Sequence, residues 1–423
     1  MIQQLRLERF KGFRDATLDL APFTVLVGAN AAGKSNLRDA FRFLHGVGRG
    51  YALADIFGEK WSEAGELVWR GIRGGTREAV FEGGGSFVLT AQLRVPAPHR
   101  KRPVTLDYRI EVAVSTNGAG PRVEQESLHE EGHEPLFDSR WPSDPPPQPS
   151  AHAIRIRFDD PTKFGRKPVV EFASSRPVLA QMAEAGAGHE RLRALAQAAL
   201  DELRAMRFFE PMPEALRRPS FPGQVELGDR GENLSSVLQG LCAAPRVEAA
   251  LVEWLQDLTP MDAARLEFPE DPSGRAILRL IERNGRGTTA YSASDGTLRF
   301  LAYLAILLDP QPPRLCFCEE IENGIHPARM RLLLDLIRRQ TGTGRMQIVT
   351  SSHSSVLVGL LGPDHLSDLR LLYRPEEASD ARIRPALSLP DARRVLGSHS
   401  RAELHATGWF ETAAEFIEDG GDA

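Results

Sequence analysis

The chain has 423 residues, enough at roughly 150 residues per domain for two to three domains and a sizeable core. Its 42% hydrophobic and 26% charged residues exclude a disordered, collagen-like or disulfide-stapled chain. Counting 52 Lys and Arg against 57 Asp and Glu gives a net charge of -5, which excludes a polycation that binds nucleic acid by bulk charge and leaves only a local patch for such a role.

Residues 2–9 and 15–20 alternate like strands, and the apolar run Phe23 to Val27, bounded by Pro22 and Gly28, suits a buried strand. A helix is predicted from near Lys34, with Leu37, Ala40, Phe41 and Leu44 on its apolar face and Gly46 as its stop. From about 65 to 172 the segments SFVLTAQLRV, VTLDYRIEVAV and HAIRIRF predict an antiparallel subdomain inserted after that helix. The proline-rich stretch 141–150 within it reads as a mobile loop. Helical composition follows from Pro177, with Gly186 and Gly188 dividing two helices, and continues to about 258. Parallel α/β patterning then returns: helix 297–308, strand 314–318, helix 327–340, strand 346–351 and a hairpin around 369–389.

The longest apolar stretch, Leu301 to Leu308, is far below the roughly 18 residues of a membrane span, and the strand-like start is unlike a leader. Cys242, Cys316 and Cys318 lack paired CxxC spacing, so neither a disulfide framework nor a zinc site is expected, and a reducing cytoplasm fits.

Gly28, Ala29, Asn30, Ala31, Ala32, Gly33, Lys34 and Ser35 match GxxxxGK[ST] at every fixed position, between a predicted strand and a predicted helix. Such glycines let backbone wrap a phosphate, the helix N-terminus points positive dipoles at it, Lys34 reaches the β and γ phosphates and Ser35 ligates Mg2+. The apolar strand after Arg314 ends in Glu319 and Glu320. In P-loop enzymes the first such carboxylate serves the metal and the second polarises the attacking water. Cys316 and Cys318 share a face of that strand and read as small core residues. A third apolar strand, Met346 to Ser351, leads to His353, which could touch the γ-phosphate or the attacking water. All three sets lie just past strand carboxyl ends, where open parallel sheets bind ligands. Ser294 is placed as an N-cap with Asp295, Gly296 and Thr297 as the first helical turn, which reads equally as an anion site or an ordinary capped core helix.

GANAAGKSN, SDGTLR, CEEIENGIHP and TSSHS, in that order, resemble the head of ABC-type ATPases of the SMC, RecF and OLD group, and more closely the bacterial AAA-family predicted ATPases of that group (AAA_21-like). The FKGF run at 10–13 and GDRGENLSSVLQGL also fit, and the resemblance spans residues 1 to about 375. It implies an α/β P-loop NTPase fold, a two-lobed head with an antiparallel β subdomain and a helical lobe. It further implies that Gly28 to Asn36 of one subunit binds ATP and Mg2+, while Ser294 and Gly296 of a second subunit cover the γ-phosphate. Glu319 and Glu320 would be the Walker B pair, Asn323 to His326 the D-loop and His353 the switch histidine. Asp295 stands where transporters have glycine, Glu319 replaces the common aspartate, and the Q-loop glutamine is left open among Gln92, Gln125 and Gln224.

The expected division is a single split head: 1–64 with the P-loop, 65–175 β, 176–290 mainly helical, 291–390 with the signature, Walker B and H-loop, and a tail at 391–423. Neither the long coiled coil of SMC relatives nor the TOPRIM nuclease of OLD relatives is expected, since about 70 residues follow His353 and hold no DxD. Glu376, Glu377 and Asp380 read as a hairpin turn, and the basic clusters at 99–102, 155/157, 217–218 and 338–339 as solvated faces. The expected activity is ATP hydrolysis that drives a dimerisation switch. The expected setting is a bacterial defence or stress system, with homodimerisation through the ATP sandwich or a higher oligomer, and a separate nuclease or TOPRIM-like effector. A RecF-like DNA clamp, with DNA as partner, and a non-catalytic ATP-bound scaffold are the alternatives.

Overall fold

The computed structural model describes residues 1–418 apart from 64, 66, 98–101, 115–119, 142–151, 159–166, 186–187, 259–261 and 377. The loop expected at 141–150 (beyond its first residue), most of the 99–102 basic cluster, Gly186 and Glu377 lie outside the described residues.

Two large sheets face each other. The first has eight antiparallel strands in the order Val169–Ala173, Ala153–Phe158, Pro135–Asp138, Arg122–Glu130, Val104–Ala113, Ser86–Val95, Ile2–Phe10, Phe13–Asp19. The β segments after the first helix therefore do not close on themselves as an inserted sheet; they extend the N-terminal hairpin. The register pairs Leu5 with Ala91 and Leu7 with Leu89, all fully buried, so one continuous apolar face forms only when the two stretches join.

The second sheet runs Met206–Phe209, Leu315–Glu319, Gln347–Ser352, Phe23–Val27, Leu369–Tyr373, Arg382–Pro385. Its first five strands are parallel and the last is antiparallel. Helices and the other sheet cover both faces, which is why the strands read as continuous apolar runs. Alternate residues divide between two cores. Leu26 and Phe317 join helix Lys34–Gly48 and the first sheet, while Val25, Val27, Cys316 and Cys318 join helices Asp295–Leu307 and Pro327–Gly342. Cys316 and Cys318 are buried free thiols, as small core residues should be.

Helix Lys34–Gly48 does not stop at Gly46. It runs two residues further, to Gly48, where a Cβ would lie 2.4 Å from the Arg204 amide nitrogen, so that glycine allows the close approach of helix Glu190–Arg204. The stretch 176–290 is less purely helical than its composition: besides strand Met206–Phe209 it holds a three-stranded antiparallel sheet, Ala263–Glu267, Arg279–Glu282 and Gly287–Thr289. The tail folds into helices Ala392–Ser398, Arg401–Ala406 and Trp409–Glu418, with Phe410 and Ala414 fully buried.

Two polar features bind these layers. Glu126 is fully buried and accepts hydrogen bonds from the amides of Val178 (2.6 Å) and Leu179 (2.8 Å) and from the Tyr108 hydroxyl (3.0 Å). Burial outweighs those donors and pushes its carboxyl up to about 7. The Gln347 side-chain amide accepts from the Ile2 amide and donates to the Ile2 carbonyl, both at 2.8 Å, linking the two sheets.

Among the described residues no helix is long and apolar enough to cross a membrane.

Candidate active site

The phosphate-type loop leaves strand Phe23–Val27 at Gly28, where a Cβ would stand 1.9 Å from the Leu372 carbonyl oxygen, so no side chain fits. Gly33, at φ 99°, is the N-cap of helix Lys34–Gly48 and contributes no capping side chain. The first-turn amides are thus left for an external anion. Ala29, Asn30, Ala31 and Ser35 are exposed, Asn36 is half-buried, and Ala32 and Lys34 are buried. The Lys34 ammonium folds back onto the loop, donating to the carbonyls of Gly28 (2.5 Å) and Ala29 (2.8 Å). Burial lowers its pKa to about 8, while the carboxylates of Glu320 and Glu411 support its charge.

The FKGF turn buttresses this helix. Lys11 pairs with buried Asp39 at 2.8 Å, and Arg73 reaches both Asp39 and the Ser35 carbonyl.

The strand register decides what meets the loop. Glu319 pairs with Ser351, Ser351 with Leu26 and Ser352 with Val27, so Glu320, His353 and Gly28 emerge side by side from three neighbouring parallel strands. Glu320 sits at φ 45° with its amide donating to the Ser351 carbonyl at 3.0 Å. One of its carboxylate oxygens lies 3.4 Å from His353 Nε2, and the other accepts from the Asn323 side chain at 2.5 Å. Glu319 turns instead to Arg38, 3.3 Å away on the loop helix. Burial raises the Glu319 pKa, Arg38 opposes the rise and nearby Glu210 adds to it. Lys34, Glu320 and His353 are thus brought together, and Glu319 lies beside them, engaged by an arginine.

The signature segment makes its own contacts. Ser294 caps Asp295–Leu307 by accepting from the Thr297 amide at 3.2 Å, and Asp295 accepts from Arg217 at 2.5 Å. Gly296 is pressed against the next loop, since a Cβ there would lie 2.5 Å from the Gly324 carbonyl oxygen. The segment Asn323 to His326 and the signature helix N-terminus therefore form one surface. His326 then caps helix Pro327–Gly342 by accepting from the Ala328 amide at 3.3 Å.

The candidate Q-loop glutamines lie elsewhere. Gln92 and Gln125 bond Asp107 and Arg109 within the eight-stranded sheet, and the Gln224 amide donates to Ser236. The residue that follows strand Met206–Phe209, beside Glu319, is Glu210, 3.9 Å from Arg38. Sequence reasoning passed over Arg38, Glu210, Glu322, His405 and Glu411. Only Arg38, one helical turn beyond Lys34, carried a periodic signal. Glu322, which accepts from Ser352 at 2.6 Å, lies inside a recognised motif but had no assigned role.

Among solved structures the chain is similar to an SMC head bound to the C-winged helix domain of ScpA, at 14% identity and a TM-score of 0.50, covering 90% of this chain and 97% of that one. The likeness shows the fold, a P-loop ATPase head. The SMC head from Thermotoga maritima (12% identity, TM-score 0.40, 91% and 98% covered) also matches. So does the Pyrococcus furiosus SMC head with an extended coiled coil bound to the C-terminal domain of ScpA (13%, 0.47, 90% and 95%). No curated protein matches the chain. Residues 23–359, well over half of the sequence, match the family described as "AAA domain, putative AbiEii toxin, Type IV TA system". The chain shares the fold of an SMC head and belongs to that AAA-domain family.

Proposed function

We propose that this chain binds ATP with Mg2+, hydrolyses it, and uses the cycle to join and separate a pair of copies of itself. The observation that carries the reading is the convergence of the loop, Glu320 and His353 at the ends of three adjacent parallel strands. The uncapped helix N-terminus and Lys34 fit a polyphosphate, and Ser35 with Glu319 would hold the metal. Bound Mg2+ would neutralise charge on the phosphates. Among the described residues no three or more His, Cys, Asp or Glu side chains gather as a metal cage, in keeping with an ion held by one or two protein groups plus phosphate and water.

The roles of this chain's residues follow. Glu320, oriented by His353 and Asn323, accepts a proton from the attacking water. Arg38 holds the Glu319 carboxylate in place, and that carboxylate would be a ligand available to Mg2+. Ser294 and Gly296 present their helix N-terminus to the nucleotide of the second copy. One SMC head carries a bound ScpA domain. By analogy, a separately encoded effector would receive the dimerisation signal here, in a defence or stress role.

Lys34→Ala should lower ATP turnover by about two to three orders of magnitude. Glu320→Gln with ATP should double the mass in light scattering, and a mass that stays monomeric at every ATP concentration excludes the sandwich.

A further inference from the structure

Two residues after Glu320 comes Glu322, half-buried. Its Oε1 accepts from the Ser352 hydroxyl at 2.6 Å, while its Oε2 is buried without a hydrogen-bond partner. Among the described residues that hydroxyl is the carboxylate's one hydrogen-bond donor. Ser352 is fully buried, and its Oγ in turn accepts from the Ser354 amide at 3.0 Å. An amide N–H can only donate, so the single hydroxyl hydrogen is left for Glu322 and the order amide, hydroxyl, carboxylate is fixed. His353 is the middle residue of the turn that this amide closes. On its far side the Ser354 hydroxyl oxygen accepts from the Leu357 amide at 3.3 Å and caps helix Ser355–Leu360. The backbone is thus held before and after the histidine, and the hold before it ends on Glu322.

The loop that carries Glu322 is itself anchored. Ile321 and Ile325 are buried on either side of it. A Cβ on Gly324 would stand 2.7 Å from an Arg299 guanidinium nitrogen, and the Gly324 carbonyl is the group pressed against Gly296, so the signature helix backs the loop. Asn323, the next residue, bonds one Glu320 oxygen, and the other oxygen lies 3.4 Å from His353. A ring therefore closes: Glu320 to His353, along the chain to Ser352, across to Glu322, along the chain to Asn323 and back to Glu320. Hydrogen bonds to an ionised acceptor are shorter and roughly twice as strong as neutral ones, so a carboxylate at 322 holds the Ser352 hydroxyl more firmly than a neutral acceptor would.

We propose that Glu322 is a positioning residue for hydrolysis: by holding Ser352 it sets where His353 stands relative to Glu320. The inference rests on the nucleotide reading, in which Glu320 and His353 face the attacking water. Glu322 itself touches neither water nor nucleotide and acts only through the turn that carries the histidine. Without it the buried Ser352 hydroxyl loses its acceptor, the turn loosens, and the base and the histidine no longer keep a fixed separation.

The test is steady-state ATP hydrolysis by the full chain with Mg2+, with thermal melts to show that each variant is folded. Glu322→Ala should lower kcat by about ten- to a hundredfold and leave KM for ATP unchanged, because the loop still holds the nucleotide and only the geometry of the hydrolytic pair is lost. Ser352→Ala removes the same hydrogen bond from its other end and should give the same loss, and it carries the test if Glu322→Ala does not fold. In a His353→Ala background neither substitution should lower the residual kcat further, since the effect passes through the histidine. Wild-type kcat in the folded single variants, a change confined to KM, or a loss that multiplies with that of His353→Ala overturns the positioning role and leaves the nucleotide site standing. No ATP hydrolysis by the wild type, or hydrolysis that Lys34→Ala leaves unchanged, overturns the nucleotide reading and the positioning role with it.

Discussion

In the eight-stranded sheet, buried Glu126 has two backbone amides and a tyrosine hydroxyl for partners. Around the carboxyl edge of the parallel sheet, Arg299 Nε, Glu322 Oε2 and Glu411 Oε2 are buried without a hydrogen-bond partner. Glu320 is held there at φ 45°. None of the atoms left without partners belongs to residues 86–173 among those described. The first region has resolved its polar groups and serves as a frame. The second keeps buried polar atoms without partners, which persist only where the surrounding structure imposes them.

The largest effect that would probe this contrast is Gly28→Ala. The added methyl meets the Leu372 carbonyl at 1.9 Å, so denaturant melts should show a loss on the order of 3 kcal/mol, together with lost nucleotide binding. Near wild-type stability would mean that the loop edge yields freely and is not a pinned site.

Glu126→Gln tests the frame. The amide keeps one acceptor oxygen where the carboxylate had two, and chemical denaturation should show a loss of about 1–3 kcal/mol. The sign of its pH dependence follows from the raised pKa. The neutral carboxyl is favoured in the fold, so its stabilising contribution is complete below the unfolded pKa of 4.5 and is lost as pH rises through about 7. Wild-type stability should fall across that window relative to Glu126→Gln by at most about 3 kcal/mol. Parallel pH profiles for the two proteins would show that the carboxyl ionises in the fold as it does in water.

The smallest effect is the most discriminating. Glu320→Gly removes a Cβ from a left-handed backbone and should raise stability by about 1 kcal/mol while abolishing ATP turnover. A thermal midpoint that falls would mean that the bonds from Asn323 and His353 outweigh the strain.

The elements of the site legible in the sequence were those whose chemistry is fixed by short spacing. The phosphate loop, the Glu319–Glu320 pair and His353 each follow a buried strand, and parallel pairing brings such strand ends together. What escaped depended on distant partners. Alternation marked residues 2–9 and 86–95 as strands, but no local pattern says that Leu7 faces Leu89. Strands such as Met206–Phe209 and Gly287–Thr289 are too short for periodicity to distinguish them from their helical surroundings. Glu411 stands in an ordinary amphipathic helix, and no local pattern says that one of its carboxylate oxygens is buried without a hydrogen-bond partner.

The amide of Gln347 behaves as one extra peptide unit, donating to and accepting from Ile2 as a strand neighbour would. It lies at the start of Gln347–Ser352, the strand that leads directly to His353. A strand of six residues is a stiff rod of about 20 Å. The strand that leads to His353 is stitched at its other end to the first strand of the opposite sheet, so one side chain fastens the base of the site to the frame.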